Sequence, residues 1–169
     1  MRRHPRWYPP RPFADGTGVA YPLHLVCNQP HQRLHSQLDY GAFSRSTKIR
    51  DREPVRINIT DAAERGIADG DIVRLFNSLG SCLAAAIVSS DVRPGVMQLA
   101  TGAWFEPHDP HADKPMCVHG NPNILTRDIG TSKLAQGSTG QLTRVEVEKF
   151  TGEIPPVRIF EPMRFADRG

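Results

Sequence analysis

Residues 72–91 read IVRLFNSLGSCLAAAIVSSD, two apolar runs on either side of Asn-Ser-Leu-Gly. That is a hairpin signature, with Gly80 available for a left-handed backbone position. The chain's other apolar residues also come in short runs closed by turn signals, and this pattern constrains the fold most. Fifteen prolines and fourteen glycines punctuate 169 residues, which favours loops and short strands over long helices.

Tyr21 to Cys27 (YPLHLVC) reads as a buried strand. PVRINI follows at 54–59, with Val55, Ile57 and Ile59 on one face. TDAAERG then starts a short helix, with Thr60 as its N-cap, Asp61 in the first turn and Gly66 closing it. IADGD is a tight turn, and RPGVMQLATG is a turn followed by a strand. In QLTRVEVEKF, Val145 and Val147 point one way while Glu146 and Glu148 point the other. About six strands, one helix and no internal repeat predict a mainly β, closed, barrel-like sheet. A hydrophobic content of 38% supports one core of that kind.

The organisation expected is an irregular lead-in or linker over 1–20, a barrel domain over 21–150 and a proline-broken, surface-lying tail over 151–169. The net charge of +3 comes from interspersed signs, with no Lys/Arg block to mark a nucleic-acid-binding tail. No apolar run reaches membrane-spanning length. Cys27, Cys82 and Cys117 are far apart and odd in number, which argues against a disulfide scaffold and favours a reducing compartment.

Two long polar segments, 28–53 and 102–140, interrupt the strands. Loops of such length are usually functional or disordered, and both mix aromatics, histidines and glycines in a way disordered chains do not. The first carries Arg33, His35, Ser36 and Gln37 just after a buried strand. Arginine offers a five-donor fork for phosphate or carboxylate, and the others supply neutral donors and acceptors. The second carries HGNPN, with His119, Gly120, Asn121 and Asn123, and then GTSKLAQG, with Thr131, Ser132, Lys133 and Gln136. Glycine-flanked backbone of this kind can form an anion nest. Either loop alone is also what a self-bonded surface loop looks like. Together they point to a large, heteroatom-rich ligand such as a nucleotide or a pterin, although neither a Walker A loop nor a dinucleotide glycine fingerprint is present. Cys117 and His119 do not complete a zinc ligand set. His35, Ser36 and Asp39 lack a nucleophile elbow, so no catalytic residue is assigned. His24 and Trp104 read as structural, and Cys82 as a packed thiol.

YPLHLVCNQPHQRLHSQLDYG, REPVRINITDAAERGIADGDIVRLFNSLGSCLAAAIV, RPGVMQLATGAWFEP and HGNPNILTRDIGTSKLAQG occur in this order and cover most of residues 21–150. Together they resemble the C-terminal domain of molybdenum oxidoreductases of the dimethyl sulfoxide reductase family, in its biotin sulfoxide and trimethylamine N-oxide reductase branch. Tyr40 departs from the histidine often found there. The resemblance implies a double-psi β-barrel with short helices and long cofactor-facing loops. It also implies a bis(molybdopterin guanine dinucleotide) cofactor in the intact enzyme, with none carried by the isolated chain. The remaining reductase domains, on the same or a separate chain, would be the partners, with no nucleic acid and no membrane insertion. A cytoplasmic location is favoured and a periplasmic one stays open. The cofactor-facing positions implied are Arg33, His35, Ser36, Gln37, His119, Gly120, Asn121, Asn123, Thr131, Ser132 and Gln136. No metal ligand is implied, because the family's molybdenum ligand comes from another domain. The rival readings are a stand-alone double-psi barrel for another nucleotide or a protein partner, and a small hydrolase or transferase using a loop histidine.

Overall fold

The computed structural model of the chain describes residues 17–127, 130, 134, 136–137 and 143–162. Seven strands occur among them: β1 (Leu23–Val26), β2 (Pro54–Asn58), β3 (Ile72–Phe76), β4 (Ser81–Ser89), β5 (Val96–Leu99), β6 (Met116–Cys117) and β7 (Thr143–Lys149). The helices are short: α1 (Thr17–Ala20), α2 (Ala42–Ser46), α3 (Ile59–Glu64) and a 3-10 turn at Pro122–Leu125.

Six strands close a barrel in the order β2-β5-β1-β7-β3-β4, with β4 pairing back onto β2. The pairs β1–β5 and β2–β4 are parallel and the remaining barrel pairs are antiparallel. Two parallel pairs joined by crossing connections make this a double-psi β-barrel, mainly β as its short apolar runs require. Closure leaves no barrel edge to template aggregation. β6 lies outside the ring, pairing with the start of β4 through Ser81 and Cys82.

The interior follows the two-residue period of its strands. Leu23 and Leu25, Val55 and Ile57, Val73 and Leu75, Met97 and Leu99, and Val145 and Val147 are all buried in one cluster. Strand β4 is buried on both faces. Cys82, Ala84 and Ala86 face the barrel interior, while Leu83 and Ala85 join Ile72 and Val118 beneath the outer loops. The small alanines let both layers pack closely there.

Local chemistry sets the connections, in two places differently from the sequence expectation. Strand β2 ends at Asn58, not Ile59. The Asn58 carboxamide accepts from Thr60 N at 2.9 Å and donates to Val92 O at 2.7 Å. Asn58 is therefore the N-cap, two residues ahead of Thr60. Ile59 is drawn into α3 and left 54% exposed. Gly66 closes the helix with φ +63°, as expected of a C-terminal glycine. In the β3–β4 hairpin, Gly80 does not use the left-handed region. Asn77 Oδ1 accepts from Leu79 N to form the turn, and Gly80 is needed for close approach to Ile124 and the Pro115 carbonyl.

Over residues 151–162 the tail lies on the surface, with Pro155 buried, and is fastened there by specific contacts. The Pro155 carbonyl accepts from Arg52 Nη2. The Glu106 carboxylate accepts from Arg158 N at 2.8 Å and Ile159 N at 3.0 Å. Phe160 then packs against Trp104 and His119.

The cap assignment has a direct test. Asn58→Ala removes two side-chain hydrogen bonds and should cost about 0.5–2 kcal/mol in urea unfolding. Thr60→Ala should be close to neutral, and the reverse order would restore Thr60 as the cap.

Candidate functional site: two loops locked by a buried ring of charges

Strands β1 and β5 are parallel neighbours, so the segments that leave their C-terminal ends emerge side by side. Thr101 N donates to Asn28 O at 2.9 Å just beyond the sheet. The long loop after β1 and the segment after β5 therefore grow from one point on the barrel.

Four fully buried charged side chains bind them. Arg33 contacts Glu53 at 3.1 Å and Asp39 at 3.4 Å. Lys48 Nζ lies 2.9 Å from both carboxylates. Two cations and two anions close a neutral ring. Such burial is tolerable only with extensive pairing and hydrogen bonding. Ser44 Oγ donates to Asp39 Oδ1 and accepts from Arg33 Nη1, each at 3.2 Å. Arg33 Nη2 also donates to Thr101 O at 2.8 Å, and Asp39 Oδ2 accepts from Trp104 N at 2.9 Å. Glu53 reaches further through its backbone, bonding His119 O and Ala85 N.

His119 completes the assembly. A carbonyl can only accept, so Nδ1 carries the proton donated to Trp104 O at 2.9 Å. Nε2 then holds a lone pair with no partner among the described residues. Burial, together with the nearby Lys48 charge, lowers the His119 pKa below the usual histidine value and keeps the ring neutral. Burial pushes the Asp39 carboxyl up. The Lys48 hydrogen bond, the Trp104 N–H and the Lys48 and Arg33 charges outweigh it and hold the group below its ordinary value.

Trp104 is tied at three points, by its backbone N and O as above and by Nε1 donating to Ser36 O at 2.8 Å. Beside it lies a cavity of about 530 Å³. Gln29, His35 and Ser36 line it from the first loop, Trp104 and Phe105 from the segment after β5, and Asn121 and Asn123 from the HGNPN turn. His35 sits at φ +51°, and its Nδ1 accepts from Gln29 Nε2 at 3.1 Å. Gly102, at φ +89°, passes so close to the His35 carbonyl that a Cβ would collide with it. The Asn121 side chain accepts from Asn123 N at 2.9 Å and caps the 3-10 turn.

The eleven positions named from sequence thus fall into groups. His35, Ser36, Asn121 and Asn123 meet around the cavity. Arg33 and His119 are buried in the ring and its neighbour, and their side chains do not line the cavity. Gln37 is exposed and its N–H closes a turn on Leu34 O. Gly120, at φ +101°, packs against Glu53. Gln136 is exposed, while Thr131 and Ser132 lie outside the described residues. Sequence reasoning missed Gln29 and Phe105 as lining, and favoured packing at the loop root over a ligand contact for Trp104. It also missed Lys48 and Glu53 entirely, because ring partners follow no period. The first half of the HGNPN region is more regular than its composition indicates, with β6 and the 3-10 turn anchored by buried Leu125.

Cys27, Cys82 and Cys117 are buried and form no disulfide, and burial pushes the Cys27 thiol up to about 11. Among the described residues no group of three or more His, Cys, Asp or Glu is placed to hold a metal ion, and no helix is long and apolar enough to cross a membrane.

The chain is thus a closed double-psi barrel with a cavity where its loops meet. The sequence matches the family described as "Molydopterin dinucleotide binding domain" over residues 23–144, and the chain belongs to that family. It is 44% identical over 158 residues to the dimethyl sulfoxide/trimethylamine N-oxide reductase of Cereibacter sphaeroides, covering 94% of this chain and 19% of the relative. It is 45% identical over 159 residues to the trimethylamine-N-oxide reductase of Haemophilus influenzae, with the same coverages of 94% and 19%. The chain therefore spans about a fifth of the length of the curated relatives it matches. Acetylene hydratase from Pelobacter acetylenicus shares the fold with a TM-score of 0.66 at 13% identity, over 86% of this chain and 21% of that one.

The two pKa shifts fix the sign of the pH dependence. The fold favours neutral His119, so stability falls as pH drops below the ordinary histidine value of about 6.5. The fold also favours the Asp39 carboxylate, whose contribution is lost at still lower pH, as its lowered folded value is crossed. Urea unfolding at about pH 7.5 and about pH 5 should show the chain less stable in acid, and His119→Gln should flatten that difference. Lys48→Met leaves two buried carboxylates facing one cation and should cost about 3–5 kcal/mol. A loss below 1 kcal/mol would show that water reaches the ring.

Proposed function

We propose that this chain is the cofactor-binding domain of a molybdenum-dependent S-oxide or N-oxide reductase, holding part of a bis(molybdopterin guanine dinucleotide) cofactor and not catalytic alone. The observation that carries the reading is the meeting of His35, Ser36, Asn121 and Asn123 around one cavity, in a member of the dinucleotide-binding family. The 44–45% identity to enzymes named for dimethyl sulfoxide and trimethylamine N-oxide supports the substrate class.

The donor set fits a heterocycle. The lining offers three carboxamides, two hydroxyls and one imidazole beside an indole. Carboxamides present donor and acceptor together, which suits the mixed edges of guanine or a pterin. The cavity volume lies within the usual range for a small-ligand site, and suits a bicyclic ring with its sugar better than a whole dinucleotide. No lysine or arginine is among the lining residues, and Arg33 and Lys48 are both engaged in the ring. Phosphates would accordingly be met by backbone N–H groups or by residues beyond this cavity.

The chain's residues would act by orientation. Asn123 and the Asn121 amide would bond ring heteroatoms, while Asn121 Oδ1 stays engaged in its cap. Trp104, tied at three points, gives the ligand a wall that cannot swing away. When bound, the molybdenum cofactor supplies the two-electron chemistry that removes oxygen from the substrate.

Titration of the full chain with released molybdopterin guanine dinucleotide, guanosine diphosphate and adenosine diphosphate tests this. The pterin dinucleotide should bind tightest and the adenine nucleotide weakest. Asn123→Ala should weaken binding about 2- to 13-fold, the equivalent of a 0.5–1.5 kcal/mol hydrogen bond, with little change in melting temperature. Asn121→Ala should lower both, because it also removes the cap. Adenosine diphosphate binding as tightly as the pterin ligand would favour a stand-alone nucleotide-binding barrel instead.

A further inference from the structure

The loop after β1 buries charge and exposes apolar side chains. Of its polar side chains, Arg33, Asp39, Ser44 and Lys48 are buried, while others such as His35, Ser36, Gln37 and Arg45 are exposed. Four of its apolar side chains face solvent, with Leu34 63% exposed, Leu38 62%, Tyr40 56% and Phe43 69%. Single exposed apolar residues are ordinary on a protein surface. Four within ten residues, in a loop whose charges Arg33, Asp39 and Lys48 are buried, are not. The backbone is strained to present them. Leu38 adopts φ +63° and His35 φ +51°, a region that side-chain-bearing residues seldom enter and that clusters at functional sites. Burial of Leu38 cannot be what offsets its strain, because it is exposed. The ring of charges is what holds the loop in place.

The patch adjoins the cavity. Tyr40 lies 5.7 Å from Trp104, centroid to centroid, and Trp104 lines the cavity together with His35 and Ser36 from the middle of the same loop. A surface that covered the cavity from outside would meet Tyr40 beside Trp104, on the loop that also exposes Leu34, Leu38 and Phe43. Its origin is indicated by length, since about four fifths of each curated relative lies outside the match.

We propose that Leu34, Leu38, Tyr40 and Phe43 form the docking surface for an apolar face of the part of the reductase that this chain does not span. The inference rests on the reading that the chain works within a larger reductase. Docking there closes the cavity and removes the patch from water, so the loop's inverted pattern becomes ordinary once the enzyme is whole.

Thiol labelling tests it directly, because the native cysteines are buried. Leu38→Cys and Phe43→Cys report on the patch, and Leu79→Cys, on the β3–β4 turn, is the control. Each is placed in the full 169-residue chain, and in a full-length Haemophilus influenzae reductase whose matched segment is replaced by this chain. Maleimide should label all three sites readily in the chain alone. In the full-length enzyme, positions 38 and 43 should slow about tenfold or more and position 79 should not. Equal labelling of 38 and 43 in both forms would overturn the proposal. So would concentration-dependent protection in the chain alone, which would mark a second copy as the occupant. Failure of the replaced enzyme to assemble with the unaltered loop counts against it as well. Protected sites in an enzyme that retains no pterin would leave the docking surface standing and count against the cofactor reading alone.

Discussion

Four charged side chains buried from solvent hold this molecule's loops in place. Arg33, Asp39, Lys48 and Glu53 form a neutral ring in which each carboxylate meets both cations. A buried ring of this kind adds little net stability compared with apolar packing, because desolvation offsets most of the attraction. What it supplies here is position. A carboxylate buried among fixed donors has few arrangements that satisfy it, and all four members lie in the one segment between β1 and β2, so the ring folds that segment onto its neighbours. Asp39 fixes Trp104, Arg33 fixes Thr101, and Glu53 fixes the bend at His119 just after β6.

The barrel and the ring divide the work. The barrel core is held by non-directional burial of Leu, Ile and Val on alternating strand positions, which specifies a fold without specifying its loops. The parallel pairing of β1 with β5 then decides where the loops begin. The ring decides where they go, converting two long polar segments into one wall with Trp104 at its centre. The cavity inherits its rigidity from that wall. It needs no charge of its own, since its lining is carboxamide, hydroxyl, imidazole and aromatic.

Glycines mark where backbone meets backbone in this assembly. Gly102 lets the segment after β5 run against His35, and Gly120 lets the HGNPN turn lie on Glu53. Both have positive φ, and both sit where the two loops meet each other or the ring. Side chains there would separate the parts that the ring draws together.

The barrel strands were legible in the sequence because burial imposes a two-residue period that needs no knowledge of the partner strand. Val145 and Val147 on β7, and Val55 and Ile57 on β2, are read from their alternation alone, and Gly66 from its place after a short helix. The four cavity residues could be nominated from polar loop chemistry and from family resemblance. Their convergence could not, nor could the burial of Arg33 and His119 away from the cavity. The cap at Asn58 was missed because Thr60 looks as suitable locally, and Asn58 prevails through its bond to Val92, 34 residues on. Lys48 and Glu53 look like surface charges in KIRDRE until the chain closes over them. The sequence by itself determined which residues could be strand and which must be loop, because those follow from nearest-neighbour period and turn chemistry. Only the tertiary structure decided which charges are buried and which apolar side chains are left outside, because those depend on partners brought together by the closed barrel.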